Sequence, residues 1–359
     1  MADKQRIIQL LKELCLLHGV SGYEQDVVSR LKHMLAEYAD DIKIDLFGNI
    51  IAWKKGTGQG PRLMLVAHAD EVGGVVNEIL PNGLLRFGKI GFVSETVLPA
   101  TKVLVGKVPG VVGAKPAHLV SPKEQGKVTP IQQLHIDVGA SSPEEVRGLG
   151  IEIGSPVTFA GELTELGNPD RLCGRAIDDR VGCVALLELM RQLKSITLAS
   201  DIYTVISVRE ETNMSGAAMA ATAINPDMAI AIDTVPADDI VPGRAKFAIG
   251  KGPVIQLIEG VQTAYVGTII HPAVKKALLA AAKTAGVEVQ LSAEVGSWTT
   301  DAASIHVSGG GIPTGFVSIP RRYAHSPGEV VDINDVMGAV DILFSLTKAT
   351  ADIQLKFID

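Results

Sequence analysis

The stretch IYTVISVREE, residues 202–211, carries an apolar, β-branched run directly into two adjacent carboxylates, Glu210 and Glu211. A run with so little polar alternation reads as a strand buried on both faces, which is the habit of parallel-type sheets covered by helices. In open α/β sheets the ligand crevice lies just beyond the carboxyl ends of the strands, so the two acids stand where a site forms. One such pair by itself is ordinarily a solvated strand end. The pattern recurs along this chain, and the recurrence gives it weight.

At 359 residues the chain exceeds the usual size of one domain, and two domains are expected. Hydrophobic residues make up 47% and charged residues 20%, the balance of a soluble α/β protein rather than a disordered or membrane one. A net charge of −7 with no basic stripe argues against nucleic-acid binding. Cys15, Cys173 and Cys183 show no CxxC or metal-knuckle spacing and are odd in number, which suits a reducing compartment. The opening MADKQRIIQLLKEL is amphipathic, without a long apolar core or cleavage site, and no 18-residue apolar run follows. A cytoplasmic protein without a membrane partner is expected.

Along the chain, helices are expected over about residues 4–17 and from SGYE (21–24) to about residue 38, where Ser21 and Glu24 have capping-box spacing. Two strands follow, near 42–45 and 49–53, and then the apolar strand 62–67, which empties into His68, Ala69, Asp70 and Glu71. From 73 to 163 the texture changes to short alternating runs such as LLRFGKI, KVLVGKV and PVTFAGEL, punctuated by Gly, Pro and Asn. This is small β-barrel composition, with one helix start near residues 142–148. Helices and buried strands resume after residue 172, so the segment 73–163 reads as an insertion into a domain formed by 1–72 and 164–359. Strand 62–67 needs the later strands as neighbours. The expected fold is an α/β, mixed, largely parallel sheet covered by helices, with an inserted small β-barrel.

His68 ends one expected strand, Glu210 and Glu211 another and Asp233 a third; His325 follows a fourth, and Asp178 with Asp179 opens a helix. Each has an ordinary explanation alone, such as a helix cap or a surface histidine. Gathered at one sheet edge, the carboxylates repel unless something cationic holds them. Imidazole and carboxylate are a ligand set for zinc foremost, or for cobalt or manganese, and a pair of such ions can share a bridging carboxylate.

HADEVG (68–73), GRAIDDRVG (174–182), REET (209–212), AIDT (231–234), TDAA (300–303) and RYAHSP (322–327) together resemble the glutamyl-aminopeptidase-type family, the dinuclear metallopeptidases that include the tetrahedral, TET-type aminopeptidases. The resemblance covers essentially the whole chain. It departs from the family's pattern at Arg209 and at Thr212-Asn213. It implies a zinc-aminopeptidase-like sheet and two divalent ions per chain. One ion would be held by His68, Asp178 and Asp233, and the other by Asp178 as a bridge with Glu211 and His325. It makes Glu210 the general base, and Asp70 the residue that accepts the other N–H of His68 and fixes its tautomer. A non-proline cis bond between Asp178 and Asp179 is implied as well. The implied activity is removal of N-terminal amino acids from short peptides, with the β insert assembling dimers into a hollow dodecamer.

Two readings of other classes compete. A glycosidase also needs paired carboxylates, but it has no use for His68, Asp233 and His325, and aromatics for sugar stacking are only 4% of the chain. A non-catalytic peptide-binding scaffold explains the β insert but not six ordered acid and histidine motifs.

Overall fold

The computed structural model describes residues 2–122, 125–240, 246–261, 266–293 and 295–357. The run from residue 202 forms the strand Ile202–Ser207. It pairs in parallel with Leu63–His68, from Ile202 opposite Leu63 to Ser207 opposite His68. Met228–Pro236 lies parallel on the far side of Leu63–His68, and Thr314–Arg322 lies parallel beyond that, with Asp233 opposite Ser318. These four strands point the same way, so their carboxyl ends share one edge of the sheet. Antiparallel strands flank them: Ile50–Lys54 and Asp41–Ile44 on one side, and Glu329–Asp332, Arg171–Gly174 and Thr164–Glu165 on the other.

Side chains alternate along the central strands, and the two faces meet different helices. Leu63, Leu65, Ala67, Ile202, Ile206, Met228, Ile230 and Ile232 join the larger core under the helices Lys4–Leu14, Gln25–Leu35, Ile177–Leu193, Pro272–Ala285 and Ile333–Ala349. Met64, Val66, Val205, Ala229 and Ala231 face Ser215–Ile224 and Ala302–Ile305. The second layer is built from small residues, and the approach is close. A Cβ on Gly216 would lie 2.2 Å from the Val208 carbonyl oxygen, so no other residue fits at that helix start.

Residues 73–159 contribute a closed barrel whose strands run round in the order Gly73–Ile79, Leu85–Ile90, His135–Asp137, Val108–Gly113, Lys102–Val105 and Pro156–Phe159. Its interior, including Val76, Leu85, Phe87, Val105, Ile136 and Phe159, is a separate core from the one under the sheet. The helix start expected there is present as Pro143–Gly148, capped by Ser142.

Several local expectations are corrected. The first helix ends at Leu14, three residues early. The Ser21/Glu24 capping box does not form: Glu24 accepts the N–H groups of Gly22 (2.7 Å) and Arg209 (3.2 Å), and Ser21 Oγ meets Thr212 Oγ1 at 3.2 Å. Ile177–Leu193, in which Val181, Val184, Leu187 and Leu193 suggest one approximate apolar stripe, is buried almost all round. Glu210 and Glu211 do not continue their strand. Arg209 takes a left-handed conformation (φ 61°), and the pair opens a short helical turn, Glu210–Asn213.

Candidate metal centre

His68 is the last residue of its strand and is buried. Its Nδ1 lies 3.2 Å from the Asp70 backbone carbonyl, so that nitrogen carries the donated proton and Nε2 faces the acids. From Nε2 the distances are 3.2 Å to Asp178 Oδ1, 3.8 Å to Asp233 Oδ1 and 3.9 Å to Glu210 Oε2. His325, left-handed at φ 56°, is fixed in the same tautomer by donation from Nδ1 to the Phe92 carbonyl at 2.9 Å. Its Nε2 is 3.2 Å from Asp178 Oδ2 and 3.6 Å from Glu211 Oε1. Asp178 therefore stands between two imidazoles and presents one oxygen to each.

Each side chain is held in place by the local backbone. The Asp178-Asp179 peptide is cis, as the resemblance implied. Asp179 turns back into the protein and accepts N–H groups from Gly182 (2.9 Å) and His68 (3.4 Å). Asp70 Oδ1 lies 3.5 Å from His68 Nδ1, near the imidazole whose N–H it was expected to accept. Its carboxylate is nevertheless committed elsewhere: Oδ1 accepts the N–H of Glu210 and Oδ2 that of Glu211, both at 3.0 Å. Asp70 thus caps the turn that carries both glutamates, and its own carbonyl serves the imidazole.

Two supporting residues were not found by sequence reasoning. Glu329 accepts the backbone N–H of Asp178 (3.1 Å) and of His325 (2.8 Å), tying two distant segments together. Arg321 donates through Nη2 to Asp178 Oδ2 and through Nε to Thr234 Oγ1 at 2.6 Å. Arg321 lies just before the RYAHSP motif and Glu329 two residues after it, but nothing in their spacing names a partner. Asp301, in the TDAA motif, was given no role; it lies buried and accepts from Ser207 Oγ at 2.5 Å.

The cluster carries more negative than positive charge. Burial pushes the Glu211 carboxyl up to about 8, against the pull of His325. Glu210 is pushed well above the usual carboxylate range by burial first, opposed by His68 and helped by Asp233 and Glu211. Burial disfavours the His325 imidazolium, yet Glu211 and Asp178 hold it up at about 9. Such a site favours added positive charge, as protons on its own groups or as divalent cations in their place. The donor set fits such cations. Among the described residues Asp178 Oδ1 and Glu211 Oε1 are buried oxygens without a hydrogen-bond partner. Three sets of ligand atoms converge to within 4.8 Å: His68 with Asp178 and Asp233, His68 with Glu210 and Glu211, and Asp178 with Glu211 and His325. All of these residues lie outside segment 73–163.

Fold and relatives define the class first, a peptide-cleaving aminopeptidase. The chain belongs to the M42 glutamyl aminopeptidase family, which matches residues 48–342. It is 36% identical over 358 residues to the lysyl aminopeptidase of Pyrococcus furiosus, covering 98% of each chain. Among solved structures, an aminopeptidase from the archaeon Desulfurococcus kamchatkensis superposes with a TM-score of 0.91 at 36% identity, over 97% of this chain and 96% of that one. The Pyrococcus horikoshii TET1 peptidase, which assembles into a tetrahedron or a large octahedral shell, matches with a TM-score of 0.83 at 30% identity, over 95% of this chain and 99% of that one.

Proposed function

We propose that this aminopeptidase removes N-terminal residues from short peptides at a dinuclear centre. The observation that carries the reading is Asp178, buried between two imidazoles with one oxygen facing each. His68, Asp178 and Asp233 would hold one divalent ion, and Asp178, Glu211 and His325 the other. Zinc suits this donor set foremost, with cobalt or manganese as alternatives. The ions, when bound, polarise the scissile carbonyl and lower the pKa of water. The chain's own work is positional and protolytic. Phe92 and Asp70 carbonyls fix the tautomers that leave both Nε2 atoms free, and Asp70 presents the two glutamates through its caps. Glu210, whose Oε2 reaches toward His68 without the hydrogen bonds that occupy Asp70, takes a proton from the attacking water and returns it to the leaving amine.

Residues 1–72 and 164–359 form the catalytic domain in this reading, and 73–163 an inserted barrel that mediates homo-oligomerisation, to a dodecamer built from dimers. The TET1 relative's assembly into a shell supports homo-oligomerisation. A light-scattering mass near twelve chains is expected, and a monomer at micromolar concentration would count against it. The three free cysteines agree with a cytoplasmic setting.

Dialysis against a chelator is expected to abolish hydrolysis of an aminoacyl-anilide panel, and zinc or cobalt to restore it, with two ions per chain by atomic emission. Full activity in the metal-free chain would overturn the reading.

A further inference from the structure

The two halves of the centre are not equivalent, and the asymmetry comes from Arg321. Its Nη2 donates to Asp178 Oδ2, the oxygen 3.2 Å from His325 Nε2, and that imidazole in turn lies 3.6 Å from Glu211 Oε1. The other oxygen, Oδ1, faces His68 and has no hydrogen-bond partner. Arg321 is not free to withdraw: it is buried, its Nε is held by Thr234, and Nη1 lies 3.2 Å from Glu329 Oε1. Nor can it shed its charge, because a guanidinium stays protonated in proteins. Glu329 offsets it only in part, since both of its oxygens are turned to the backbone N–H groups of His325 and Asp178.

We propose that Arg321 is a fixed cation built into the second metal position, which makes the ion held by Asp178, Glu211 and His325 weaker than the ion held by His68, Asp178 and Asp233. The inference rests on the dinuclear reading. Two effects act in the same direction. The hydrogen bond draws electron density from a ligating oxygen, and the guanidinium charge repels a dication that must approach that same oxygen. Groups just beyond a metal's ligands normally strengthen binding when they are carboxylates or carbonyls. A guanidinium there has the opposite sign.

The test is a cobalt titration of the full-length, metal-free chain, followed by calorimetry and by equilibrium dialysis with metal counting. The wild type is expected to bind two ions in two classes, the second weaker by at least about tenfold, the lower end of the scale on which such neighbours act. Arg321→Met removes the charge and should tighten the second class about 10- to 100-fold while leaving the first within a few-fold. Arg321→Lys keeps the charge and should keep the weak class. Thermal unfolding checks that each variant is folded, and Arg321→Gln, which can still bond to Glu329, carries the same expectation as Met if that variant fails to fold. Two ions in every protein with the second constant unchanged or weaker in the neutral variants overturns the inference alone. Fewer than two ions at saturating cobalt in all of them overturns the dinuclear reading together with it.

Discussion

Glu210→Gln is expected to lower turnover by roughly 10² to 10⁴, the usual worth of a positioned acid-base group, while the chain still holds two metal ions. The substitution keeps the side chain's volume. It also leaves the anchor of that position intact, because Asp70 Oδ1 grips the backbone N–H at 3.0 Å, which Gln possesses equally. What is lost is the proton acceptor. Metal content by atomic emission and the affinity for a competitive inhibitor should therefore stay near wild type, and added metal should not help. Glu211→Gln is the control. Its Oε1, 3.6 Å from His325 Nε2 and without a hydrogen-bond partner, is assigned to the ligand set of the proposed second ion. That variant should lose metal at one position and recover part of its activity in excess metal. The reverse pattern in the two variants would exchange their assigned roles.

The two glutamates also show what the sequence could and could not convey. Their place beyond a buried strand was readable, because an apolar β-branched run announces itself and the crevice rule does the rest. Their local geometry was not. Arg209 turns left-handed and the pair opens a helical turn, so the side chains diverge by about 100° per residue instead of alternating across a strand. The turn exists because Asp70 caps it from 140 residues away. The SGYE segment failed for the same kind of reason: local spacing favoured a capping box, but Glu24 is claimed by the Arg209 N–H, 185 residues distant. Barrel texture in 73–163 was legible from alternation and turn residues. The barrel's strand order was not, since His135–Asp137 slots between Leu85–Ile90 and Val108–Gly113, against chain order. The six proposed ligand and base positions were all motif residues, and the structure gathers them at one sheet edge. Arg321 and Glu329 escaped because their identity lies in partners such as Asp178, 143 and 151 residues away.

Asp178→Ala is expected to have the broadest effect of any single change. It removes one oxygen from each of the two ligand sets, so neither ion should be retained through gel filtration, and activity should fall at least as far as in Glu210→Gln. The damage extends to the fold. Arg321 is buried and loses its contact with Asp178, and removing one partner of a buried ion pair costs about 3 to 5 kcal/mol. Part of that is relieved by Glu329, 3.2 Å from Nη1, so the lower end is expected for the metal-free protein in a urea titration. Asp178→Ala combined with Arg321→Met separates the two consequences. An apolar side chain of similar length leaves no buried guanidinium to satisfy, and replacing a buried pair by apolar residues is often neutral or stabilising. The double variant should therefore regain most of the lost stability and none of the metal binding. If it is no more stable than Asp178→Ala, the destabilisation does not arise from the stranded guanidinium, and the loss at Asp178 must be charged to its packing between the two imidazoles.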